Sequence, residues 1–188
     1  HLANETVYYI SNIYANSLLK MAGGYFDIEE YNRSLECYLQ VIDVYEKTLG
    51  KEYPSYAHAL SKISSNYANL GEYNKSLEFD LKALSAYEKT FGKDSYQYSI
   101  SLSNIALNYS NLGEYNKSLE FNLKAQYIKE KTCGKKDPSY AITLINIAGD
   151  YMNLGQYKKS LEFNLKALEI NEEVYGQDKA DKLRFLAE

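Results

Sequence analysis

The chain has few of the residues that usually announce a chemistry. It has only two cysteines in 188 residues, Cys37 and Cys133, and their spacing fits no metal-ligand pattern. It has two histidines, His1 and His58, and neither has a sequence neighbour that suggests a nucleophile–base pair or a zinc site. Its paired glycines, Gly23-Gly24, lie inside a helical pattern without the motif of a phosphate-binding loop. Basic excess is missing as well: the net charge is −4, which argues against a nucleic-acid surface. No apolar run approaches the roughly 18 residues that cross a bilayer, and no signal peptide is visible. The expectation is a protein without enzymatic activity, catalytic residues, metal or other cofactor, whose partners include neither nucleic acid nor membrane.

What the chain does have is a repeat. Gly71-Glu72-Tyr73-Asn74-Lys75-Ser76-Leu77-Glu78-Phe79 returns at Gly113–Phe121 and again, slightly altered, at Gly155–Phe163, in steps of 42 residues. A looser copy surrounds Tyr31. A period of this size marks a stacked array of supersecondary units. The units run 11–52, 53–94, 95–136 and 137–178, within one repeat domain over 1–188. Residues 1–10 read as a remnant of an earlier unit or a backward extension of the first helix, and 179–188 as the start of a further or capping helix. Leu183, Phe185 and Leu186 keep that last segment apolar, which suggests truncation or an end-to-end contact. The two prolines, Pro54 and Pro138, stand two periods apart and so punctuate the repeat. Cys37 and Cys133 are more than two repeats apart, so no disulfide is expected, and a reducing, cytoplasmic setting is the simpler reading.

Each unit reads as helix, short turn, helix. Tyr56, Leu60, Ile63, Tyr67 and Leu70 recur at steps of four and three, one face of a first helix. Gly71 sits where a helix commonly stops, and Tyr73, Leu77, Leu81 and Leu84 mark the face of a second helix that ends at Gly92. Ser95 and Asp137 are placed to cap later first helices. Small residues such as Ser64 and Ser76 fall where the two helices must approach closely. Of 21 tyrosines, twelve occupy three recurring slots, a pattern best explained by packing. Glu78 and Lys82, Glu120 and Lys124, and Glu162 and Lys166 are helical pairs that mark a solvated outer face.

Leu60, Ile63, Ser64, Tyr67, Gly71, Tyr73, Ser76 and Ala83, with their copies 42 residues on, resemble the tetratricopeptide repeat. The unit length and the closing phrase Glu88-Lys89-Thr90-Phe91-Gly92 resemble the longer variety found in kinesin light chains. The resemblance implies an all-α fold, a right-handed α–α superhelix of antiparallel helix pairs. It departs from the family pattern after the Phe79 slot, where Asp80, Asn122 and Asn164 replace an aromatic; these are read as packing variations.

The resemblance also implies that first helices line a concave groove for peptide segments. The groove positions it assigns are Lys20, His58 and Lys62 in the first half, and Ile100, Asn104, Leu107, Ile142, Ile145 and Asn146 in the second. Family practice puts an asparagine in the slot of Asn104 and Asn146 to bond a bound peptide's backbone, since an amide both donates and accepts. A solvated helix face is the plainer account of the same residues. The pattern that clamps chaperone tails is incomplete at Leu19, Gly23 and Ile100.

A protein-binding scaffold is therefore the leading expectation, its ligand a peptide with an acidic and an apolar portion. The alternatives are a structural array that homo-oligomerises through its open ends, and the sensing arm of a larger signalling protein or enzyme.

Overall fold

Three left-handed glycines shape the helix pairs. Gly71, Gly113 and Gly155 have φ of 77°, 76° and 71°. After each, the next amide turns back onto the finished helix: Glu72 N–H donates to Tyr67 O, Glu114 to Tyr109 and Gln156 to Tyr151, all at 2.8 Å. That bond satisfies a carbonyl the helix end would leave unpaired and aims the chain into the return helix.

The computed structural model describes residues 2–185, with side chains placed over 5–174. Among the described residues the regular elements are all helical: α1 Leu2–Asp27, α2 Tyr31–Val44, α3 Pro54–Asn69, α4 Tyr73–Phe91, α5 Tyr96–Asn111, α6 Tyr115–Thr132, α7 Pro138–Asn153 and α8 Tyr157–Phe185. A single π-helical turn, Tyr45–Leu49, finishes α2. Proline opens α3 and α7, where its missing N–H costs nothing. Ser95 Oγ accepts from Tyr98 N–H at 3.2 Å, and Asp137 Oδ1 from Ser139 N–H at 2.8 Å, as their cap positions predict.

The helices form two units, one ending at Lys93 and the other beginning at Asp94. In the first, α1 packs on α2, α2 on α3 and α3 on α4. Its core joins Ala15, Leu18 and Ala22 to Tyr38 and Val41, then to Leu60 and Ile63, then to Ala83 and Tyr87. Burial of a side chain such as Ile63 contributes roughly 1.5–3 kcal/mol. Ser34 Oγ donates to Ala22 O, and the Ser64 and Ser76 hydroxyls meet, each at 2.9 Å. The small residues thus let helices close up without leaving buried hydroxyls unpaired. Cys37 belongs to this core, and both cysteines are free thiols.

In the second unit α5 packs on α6, α6 on α7 and α7 on α8, and α5 also touches α7. Leu102, Ile105, Ile128, Leu144 and Ile147 are buried there. The recurring tyrosine slot is structural in both units. Tyr67 lies against Phe79, Tyr109 against Phe121 and Tyr151 against Phe163, each at 5.6 Å between ring centres, and Lys75, Lys117 and Lys159 stand over the tyrosine rings. The outer ion pairs form as spaced, with Lys82–Glu78 at 2.5 Å, Lys124–Glu120 at 2.6 Å and Lys166–Glu162 at 2.7 Å.

Three features differ from the repeat pattern. Glu29 occupies the left-handed position that glycine holds in the later pairs, with φ of 62°. Where a further helix is expected to start at 179, α8 instead runs on through Gly176 to Phe185. The segment after Gly176, Gln177-Asp178-Lys179-Ala180-Asp181-Lys182, lacks the proline or serine that opens the earlier first helices, so helix propagates through. The side chains of Leu183, Phe185 and Leu186 lie outside the described residues. Finally, Tyr14, Met21, Tyr157 and Leu161 occupy slots that are buried or half-buried in the other units yet are half-exposed or more. In α3 the matching slots pack on α2, whereas α1 and α8 have no preceding or following helix among the described residues. Among those residues no helix is long and apolar enough to cross a membrane.

Candidate functional site

In the second unit the adjacent first helices α5 and α7 present an apolar face. Leu107, Ile142 and Ile145 are 54%, 57% and 45% exposed, and Ile100 is exposed beside them. Asn104 and Asn146 are half-buried on the same two helices. An open cleft of about 260 Å³ lies between Leu107 of α5 and Ile145, Asn146 and Gly149 of α7. Gly149 leaves space there, since a Cβ would meet no atom within 4 Å. The structure therefore brings Leu107, Ile145 and Asn146 to one cleft, while Ile100, Asn104 and Ile142 lie outside its lining.

Three buried polar residues also line the cleft, Ser118 and Asn122 from α6 and Asp150 from α7, at 0%, 1% and 2% exposed. Asn122 Nδ2 donates to Asp150 Oδ2 at 2.7 Å, and Asn122 Oδ1 has no hydrogen-bond partner. Burial pushes the Asp150 carboxyl up from its ordinary range, opposed by hydrogen bonds from Ser118 and Asn122. The sequence reading missed this pair. It noted Asn122 as a departure from an aromatic slot but not its partner. The signal was present: Asp150 stands two and one periods after Asn66 and Asn108, the only carboxylate in that series.

Two turns along α6 the buried Lys129 ammonium donates to Thr143 Oγ1 at 2.8 Å and Ser103 Oγ at 3.2 Å. Burial lowers its pKa, with Cys133 and Asp137 pulling the other way. Its slot holds buried tyrosines, Tyr45 and Tyr87, in the first unit. Its acceptors on α5 and α7 fix those helices relative to α6.

In the first unit Lys20 and His58 are exposed on α1 and α3. The Lys62 ammonium sits 5.6 Å from the Phe26 ring centre, tying α3 to α1. Desolvation, and then the Lys62 charge one turn away, hold the His58 imidazole below its usual pKa, so it is neutral at pH 7. Among the described residues no hydrogen bond or ion pair joins Lys20 to either of them. The cationic character of this face thus rests on Lys20 and Lys62.

Several solved structures share the fold. BtubC (BKLC) from P. vanneervenii superposes with a TM-score of 0.82 at 16% identity, over 88% of this chain and 66% of that one. A putative kinesin light chain of Podosopora anserina with nearly identical TPR-like repeats gives 0.71 at 20% identity, over 92% of this chain and 87% of that one. A Rap protein complexed with competence and sporulation factor gives 0.70 at 20% identity, over 86% of this chain and 44% of that one. The chain thus spans just under two thirds of BtubC and less than half of the Rap protein. No curated protein matches it. Family models described as tetratricopeptide repeat match residues 14–89, 57–131 and 141–181, in step with the helix pairs above. With most of its length covered in that register, the chain belongs to the tetratricopeptide-repeat family.

Proposed function

We propose that the chain is a protein-binding module whose first-helix faces take a peptide segment of a partner. The observation that carries this is the α5–α7 face, where exposed Ile100 and Leu107 share α5 with Asn104 and exposed Ile142 and Ile145 share α7 with Asn146. These aliphatic side chains contribute little to the core, and a face of this kind is suited to cover by another chain. The asparagines offer backbone-reading donors and acceptors within it. The Rap protein above, crystallised with competence and sporulation factor, is a case of this architecture holding a partner. On the first unit Lys20 and Lys62 suit an acidic stretch, with His58 as a neutral neighbour at pH 7. Free Cys37 in the core and free Cys133 suit a reducing compartment such as the cytoplasm.

The test is a titration with the partner segment recovered by crosslinking and capture. Asn104→Ala with Asn146→Ala should weaken binding at least tenfold, as expected from losing two hydrogen bonds of about 1 kcal/mol each. Helical content should not change. Unaltered affinity would remove the asparagines from the site.

A second reading, self-association, is favoured by one surface. Tyr157, Leu161, Leu165 and Leu168 form an exposed stripe on α8, 52–71% accessible. Of the same slots on α2, Leu35 is buried and Tyr31 and Ile42 half-buried, while Leu39 is exposed. A second copy could dock there by supplying a first helix.

A further inference from the structure

The α5–α7 cleft has a floor that a purely apolar peptide would waste. Asn122 Oδ1 is buried without a partner, and beside it lies the Asp150 carboxyl, whose hydrogen bonds come from neutral groups. Above them stand the apolar walls Leu107 and Ile145. The cleft thus has acceptors at the bottom and Leu107 and Ile145 as apolar walls, with Ser110, Asn146 and Asn153 in the rest of its lining. At about 260 Å³ it is smaller than the roughly 300–1,000 Å³ typical of small-molecule sites, and suits one long side chain. Among the described residues no group of three or more His, Cys, Asp or Glu side chains could hold a metal ion, and Asp150 is the single carboxylate of this cleft. A carboxylate ligand would meet acceptors and a buried acid. A basic side chain matches both levels, because its stem is apolar and its head only donates.

We propose that this cleft seats a lysine or arginine side chain of a bound peptide, its stem between Leu107 and Ile145 and its cationic head turned toward Asp150 at the cleft floor. This rests on the reading that the α5–α7 face binds peptide. Asn66 and Asn108 fill the slots equivalent to Asp150, which is the one carboxylate of its series, while in the Asn122 series the buried carboxylate is Asp80. The net charge of −4 also favours the approach of a basic segment.

The probes are four capped pentapeptides, acetyl-Ala-Leu-Xaa-Leu-Ala-amide, with Xaa lysine, arginine, norleucine or glutamate. Binding is read from the Gly149 amide and Asn122 side-chain signals in ¹H–¹⁵N spectra of the whole chain. The lysine and arginine peptides should bind at least tenfold tighter than the norleucine peptide, with glutamate weakest. Asp150→Asn, which installs the residue found at Asn66 and Asn108, should level the affinities for the lysine, arginine and norleucine peptides. A norleucine peptide that binds as well as the basic ones overturns the cleft assignment, as does an Asp150→Asn protein that keeps the preference. If the peptides bind without charge preference and Asn104→Ala with Asn146→Ala weakens them, the cleft assignment alone falls. Failure of all four to bind at millimolar concentration removes this inference and the peptide-face reading together.

Discussion

Asp150 is the residue where stability and recognition pull apart. Its carboxyl is buried, and burial raises its folded-state pKa above the unfolded value. The sign follows from linkage: a raised carboxyl contributes stability below the unfolded pKa of about 3.9 and loses it as pH climbs through the folded value. Asp150→Asn has no ionisation to resist, and its amide gains a donor beside the unpaired Asn122 Oδ1. Urea denaturation should find the variant's advantage over the parent growing from pH 4 to pH 7, because only the parent has a carboxyl to ionise in burial. A gap that fails to widen with pH would show that Asp150 is not held as a buried acid. This site was only half readable from sequence. Asn104, Asn146 and the exposed aliphatic residues follow from helical spacing and the family resemblance. Asn122 and Asp150 come from different helices 28 residues apart, and helical periodicity says nothing about which buried slots on neighbouring helices touch.

At the scale of the element, most of the design is local and could be read directly. Glycine at Gly71, proline at Pro54 and Pro138, and caps at Ser95 and Asp137 all act within one turn, so sequence shows them. Glu29 shows the rule by breaking it. It makes the same turn, with Glu30 N–H donating to Tyr25 O at 2.9 Å, yet carries a side chain at φ of 62°. A left-handed non-glycine residue costs about 1–2 kcal/mol, and glycine's greater unfolded entropy returns about 0.5–1 of that. Glu29→Gly should therefore raise the melting temperature by about 2 °C, near the lower end of the scaling for chains of this size. Glu29→Ala serves as control, because alanine keeps the strain and should show no such gain. Gly176 teaches the converse. A glycine ends a helix only when the following residues can open the next one, and Gln177–Lys182 do not.

For the whole molecule the governing fact is that a repeat buries each helix face with its neighbour, so faces at the edge of the array stay bare. The α8 stripe is such a face. Leu161 and Leu165 are 60% and 55% exposed, although their slots are apolar in every unit. Folding therefore gains little from them, and association would gain a good deal, since burying apolar area is worth about 25 cal/mol per Å². The consequence separates the two roles. Leu161→Glu with Leu165→Glu should leave helicity intact and shift the melting temperature by no more than about 1 °C, as expected of exposed positions. If α8 docks a second copy, light scattering across concentration should show the parent chain growing in mass while the double variant stays monomeric. A parent chain that is monomeric throughout would exclude self-association and leave peptide capture on α5 and α7 as the use of the fold. The double variant would then bind the basic pentapeptides as tightly as the parent, because its changes lie on α8, away from the cleft lining.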